Sequence, residues 1–102
     1  MKRHWMGEFP DYDDVPRSLP RFVEECWSND TCPKLVHVRE DGLAITVWCD
    51  YKDPKLREMG VGGQFAVHVS EEKDYGIAMP LLSTDEWDKV RLLASLLTGN
   101  NL

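Results

Sequence analysis

Asp41-Gly42 stands between two runs of alternating character, and no other feature of the chain narrows its fold so much. On the C-terminal side, Leu43, Ile45, Val47 and Cys49 alternate with Ala44, Thr46, Trp48 and Asp50. A period of two places one set on each face of a strand. Asp-Gly between two such runs supplies the backbone conformation a tight hairpin turn needs. The spacing therefore predicts a hairpin with arms at 34–39 and 43–50, although 34–40 is also compatible with a helix. A second pair follows. Residues 64–70 alternate again, with Phe65, Val67 and Val69 on one side, and 71–76 form a polar turn. Residues 76–82 read as a fourth strand, and Pro80 marks it as an edge, because proline has no N–H to give to a ladder.

Helical spacing frames these strands. Leu19, Phe22, Val23, Cys26 and Trp27 recur at the interval of one helix face. Ser18 can cap that helix, Pro20 suits its first turn, and 28–30 supply stop residues, so the expected helix is about 19–28. Asp53-Pro54 opens a short helical turn near 54–59, closed by Gly60. Ser83-Thr84-Asp85-Glu86 has the form of a capping box, with Leu82 and Trp87 as its hydrophobic staple. It predicts a helix over about 84–98, with Trp87, Val90, Leu93, Ala94 and Leu97 as the core stripe, Leu92 and Leu96 widening it, and Gly99 as the stop. The expected fold is α+β: a four-stranded, mostly antiparallel sheet with two main helices on one face. At 102 residues, 42% of them hydrophobic and 29% charged, the chain reads as one domain over 1–102.

Residues 1–16 are a different matter. Glu8, Asp11, Asp13 and Asp14 alternate with Phe9 and Tyr12, and Trp5 lies just upstream. Pro10 and Pro16 oppose a helix there, so the segment is expected to be extended, acidic and aromatic. Such a strip can meet a basic partner surface, the carboxylates pairing with Lys and Arg and the rings filling pockets. Packing the rings onto the domain while displaying the carboxylates would serve fold and binding together. The whole-chain charge of −6 agrees, and it argues against direct nucleic-acid binding, which takes a Lys/Arg footprint. No run is long and apolar enough for a membrane span, and no apolar h-region follows the basic N-terminus. Three cysteines, Cys26, Cys32 and Cys49, leave one odd. The expectation is a cytoplasmic protein with reduced thiols.

Other motifs fail on spacing. The glycines at 60–63 follow a helical turn and precede a strand, the reverse of a phosphate loop. Cys26 and Cys32 are too far apart in sequence for a zinc knuckle, and Cys26 and Cys49 fall on apolar faces. Counted from Asp11, a calcium loop would need Gly and Glu where Pro16 and Phe22 stand. No metal and no cofactor is expected. His37, Trp48 and His68 are out of phase with the apolar residues of their strands. With Thr46 and Gln64 they would share the sheet face opposite the core, a ligand or partner patch, and two histidines suit acid–base work.

In size and charge the chain is similar to small acidic inhibitors such as toxin-immunity and anti-defence proteins, an analogy that no motif carries. The expected function is to bind and neutralise a basic, nucleic-acid-processing enzyme, with Trp5, Glu8, Phe9, Asp11, Tyr12, Asp13 and Asp14 at the contact. The chain is expected not to be an enzyme, and to be a monomer in preference to a homodimer. Two alternatives stand beside this one. The first is a small enzyme or ligand binder using the His37, Trp48 and His68 face. The second is a homodimeric accessory subunit using the final helix.

Overall fold

The computed structural model describes residues 9, 11–25, 32–57, 62–71 and 74–99. Five strands form one antiparallel sheet: β1 (Val23–Glu24), β2 (Lys34–Val38), β3 (Leu43–Cys49), β4 (Phe65–Glu71) and β5 (Asp74–Thr84). They lie side by side in chain order, each antiparallel to the next. The Asp41-Gly42 turn joins β2 to β3 as its sequence predicts. Gly42 takes φ +86, Arg39 N donates to Leu43 O at 2.8 Å, and the Asp41 side chain accepts from Leu43 N at 3.1 Å. β5 is an edge strand, as Pro80 implies. A single helix, α1 (Trp87–Leu97), is present among the described residues.

The class is the one expected, but the details differ. Among the described residues there are five strands, not four, and the expected helix at 19–28 is not formed over its described part. Pro20 and Arg21 make a turn, Arg21 adopts φ 71, and Val23 and Glu24 pair with Val36 and Leu35. A left-handed residue cannot sit inside a right-handed helix. The open edge of β2 offers Val23 ladder bonds, and a β-branched residue fits that site. The helical spacing of Leu19 and Phe22 came from two residues that reach the core out of a turn, with Phe22 N donating to Leu19 O at 3.1 Å. Val23, which should have shared their stripe, is 47% exposed. The remainder of that segment, 26–31, lies outside the described residues, and with it Cys26 and Trp27.

The capping box also dissolves. Ser83 and Thr84 are the last residues of β5, paired with Ala66 and Phe65. Ser83 Oγ accepts from Gly63 N at 2.9 Å, so its hydroxyl serves the sheet and not the helix. Glu86 takes the cap position with extended backbone and no side-chain cap bond, and α1 begins at Trp87. The helical turn near 54–59 is a single 3₁₀ turn, Pro54–Leu56, capped by the Asp53 carboxylate on Lys55 N at 3.0 Å. Arg57 is already extended after it, and 58–59 are not described.

α1 lies on one face of the sheet. Leu35, Ile45, Val47, Cys49, Phe65 and Val67 meet Val90 and Ala94 there, and Phe9, Tyr12 and Leu19 join the same core. Trp87, Leu93 and Leu97 pack against it, so the predicted stripe is the buried one. The Trp87 and Phe65 rings meet edge-on at 5.0 Å. Thr98 caps the helix end, and Gly99 turns out at φ +73.

Candidate functional sites

The N-terminal strip is an ordered part of the domain over its described residues. Phe9 and Tyr12 are 7% and 6% exposed, and Tyr12 N donates to Phe9 O at 3.1 Å. The rings therefore act as internal anchors and are not displayed to a partner. The Tyr12 hydroxyl donates to Asp50 O at 3.0 Å, and its ring lies 5.5 Å from that of Tyr51. Burial, reinforced by the neighbouring Cys49 thiol, pushes that hydroxyl far above the usual tyrosine value, so it stays protonated. Trp5 and Glu8 lie outside the described residues.

The carboxylates of the strip divide into three situations. Asp11 is exposed. Asp13, also exposed, is tied to the loop after β3, its two oxygens accepting from Lys52 N at 2.7 Å and Asp53 N at 2.8 Å. Asp14 faces inward. It accepts from Val15 N at 2.8 Å and Gln64 Nε2 at 2.8 Å, and pairs with Arg17 at 3.2 Å. Partial burial raises the Asp14 carboxyl, but those donors more than offset it and hold it below the usual aspartate value. The loop that Asp13 caps is braced by Arg57, which donates to the Tyr51, Lys52 and Gly62 carbonyls and to Asp85 at 2.9–3.2 Å. Asp13 and the exposed Asp53 are thus neighbours where the strip meets the braced loop, and the exposed Asp11 lies two residues before Asp13 in the strip.

The sheet face opposite α1 holds part of the predicted patch. Register places Lys34, Trp48 and Ala66 in one row, Val36, Thr46 and His68 in the next, and Val38, Ala44 and Ser70 in a third. Thr46, Trp48 and His68 line a cavity of about 410 Å³ there, together with Glu25, Lys34, Val36, Ser70 and Ala78. Lys34 Nζ lies 5.1 Å over the Trp48 ring. Desolvation lowers the His68 value, so its imidazole is neutral near pH 7.

His37 and Gln64 are not in this group. His37 pairs with Ile45, which puts it on the helix face at the margin of the core. Its Nδ1 donates to Arg21 O at 2.9 Å, and its ring lies 5.5 Å from Phe22. Leu35 and Val36 are both apolar, so the pattern of β2 alone leaves its phase ambiguous. Gln64 precedes β4 and turns inward, 6% exposed, to Asp14 and to the Tyr12 hydroxyl at 3.5 Å. Lys34 and Ser70 were missed by sequence reading. Counting pairs outward from the Asp41-Gly42 turn sets Lys34 against Trp48 and would have found the first of them.

A second cavity, about 480 Å³, lies where α1 ends, beside Arg21, His37 and Arg39. Its cations already have structural work. Arg21 Nη1 donates to Thr98 O at 3.0 Å at the helix terminus, and Arg39 pairs with Asp41 at 3.1 Å. Cys32 and Cys49 are fully buried. Among the described residues, no three His, Cys, Asp or Glu side chains are grouped to hold a metal ion, and no helix is long and apolar enough to cross a membrane. Comparison of the chain with protein-family models, with curated proteins and with solved structures finds no match.

Proposed function

We propose that the protein is an interaction protein of the inhibitor type, which occludes the basic surface of a nucleic-acid-processing enzyme such as a toxin or defence nuclease. The contact is the acidic edge displayed by the N-terminal strip, Asp11 and Asp13, which is anchored on the loop after β3 beside the exposed Lys52, Asp53 and Lys55. One observation carries this reading: Phe9 and Tyr12 are buried while Asp11 is displayed and Asp13 is locked onto Lys52 and Asp53 N–H. Carboxylates held in place before binding lose less conformational freedom when a partner arrives. Their charges stand where such an enzyme receives phosphates, and they steer encounter with a basic patch. Of the two roles expected for the rings, filling partner pockets and packing onto the domain, Phe9 and Tyr12 take the second and so support the carboxylates beside them.

The test uses the intact protein as bait in lysate of the source cell, beside Asp11→Lys. Asp11 has no bond to lose among the described residues, so the variant changes charge and not fold. A basic enzyme retained by wild type at low salt, released as salt rises, inhibited at one-to-one stoichiometry and not retained by the variant is the expected result. Equal retention by both proteins would remove the strip from the contact.

A further inference from the structure

We propose that the trough across the sheet face opposite α1 binds an uncharged, planar heteroaromatic molecule of the nucleobase or nucleoside type. The register builds it. Trp48 stands at one end beside Lys34, His68 in the middle row, and the small side chains of Thr46, Ser70 and Ala78 leave a furrow between them. At about 410 Å³ it lies toward the small end of ligand sites, which suits one base or nucleoside and not an oligomer.

Charge and polarity decide the class. Among the described residues of the lining, Glu25 and Lys34 bring one charge of each sign, and the imidazole of His68 is neutral. A phosphorylated or otherwise charged ligand therefore gains no net Coulomb attraction here. A wholly apolar ligand would strip water from the Thr46 and Ser70 hydroxyls and the imidazole without replacing their hydrogen bonds. A neutral ring edged with both donors and acceptors meets those needs, since a hydroxyl and a neutral imidazole can each give and accept. Trp48 supplies a flat apolar wall, held by Lys34 at 5.1 Å, on which a base can stack.

The test is a titration of the ¹⁵N-labelled full chain, followed by amide shifts, with adenosine, guanosine, cytidine and uridine in turn. The matching 5′-monophosphates and indole are the charged and apolar comparisons. The expected result is saturable movement of the Thr46, Trp48 and His68 amides with at least one nucleoside, and no tighter binding of its monophosphate or of indole. Trp48→Ala should weaken that binding roughly tenfold or more. Thr46→Val, which keeps the side-chain shape and guards against a variant that fails to fold, should weaken it about threefold or more. Asp11→Lys should leave it unchanged, which separates this site from the acidic edge. No saturable shift with any nucleoside, tighter binding of a monophosphate or of indole, or affinity unaltered by both trough variants would overturn the assignment.

Discussion

Asp14 and Arg17 show how single side chains bind the N-terminal strip to the rest of the domain. Asp14 joins Gln64 to Arg17, and the Arg17 guanidinium lies 5.4 Å over the Phe65 ring and 5.3 Å over that of Trp87. The strip is thus clasped to both β4 and α1, through a charge and two rings. Three titrations follow from groups of this kind. His68 has its folded value below the unfolded 6.5, so its contribution is present above that value and is lost as pH falls through the folded one. Asp14 likewise stabilises the fold above 3.8 and ceases to as pH drops further. Thermal unfolding should therefore show two successive losses on acidification, and His68→Asn should abolish the upper one while leaving the lower. Tyr12 works in the other direction. Its folded value is raised, so its stabilisation holds below the unfolded 10.0 and fails as pH rises past it. Tyr12→Phe should cost about 1 kcal/mol at neutral pH by loss of the bond to Asp50 O, and should flatten the alkaline loss seen in wild type. Unfolding of both proteins in denaturant at pH 7 and above 10 measures each effect.

Among elements, the two hairpins were legible and the first helix was not, for one physical reason. The arms of β3 and β4 carry long alternating runs, and Asp41-Gly42 supplies a turn that needs nothing from elsewhere in the chain. At Leu19, Phe22 and Val23 the helical spacing was real, but what formed was settled by the open edge of β2, which local pattern does not contain. The capping box failed in the same way, because Gly63 N claims the hydroxyl of Ser83. That contact has a consequence of its own. Gly63 lies against the Thr84 backbone, where an added Cβ has no room and no flexible side chain can yield. Gly63→Ala should therefore push β4 from the end of β5 and unfold the protein or lower its melting temperature sharply, as circular dichroism would register. Trp87→Ala acts on the same junction from the helix. It removes a ring that packs edge-on to Phe65 and under Arg17, and should cost about 3–5 kcal/mol in denaturant unfolding. A loss below about 1 kcal/mol would mean that α1 is held by its other core residues alone.

On the scale of the whole molecule, a five-stranded sheet with its one described helix on one face leaves three surfaces with different chemistry: the acidic edge, the polar trough, and the outward side of α1. The trough was half legible. Alternation exposed Thr46, Trp48 and His68, whereas His37 and Gln64 were drawn away by contacts to Arg21, Asp14 and Tyr12 that only the assembled chain creates. The strip was legible as a segment, and the packing of its rings as one of two roles open to them, but the inward turn of Asp14 was an outcome of packing. The third surface corrects an expectation. Leu92 and Leu96 do not widen the buried stripe, being 53% and 66% exposed on the far side of the helix. Residues four apart share one side, so the pair forms a small apolar spot beside the Lys89–Glu86 and Arg91–Asp88 pairs. Two leucines in a charged surround are an ordinary surface, well short of the contiguous apolar area that marks an obligate seam. The expected outcome is a monomer by sedimentation at high concentration, and Leu92→Glu should change folding stability by no more than about 0.5 kcal/mol. A dimer in wild type that Leu92→Glu converts to monomer, with helical content retained, would instead assign this side of α1 to self-association.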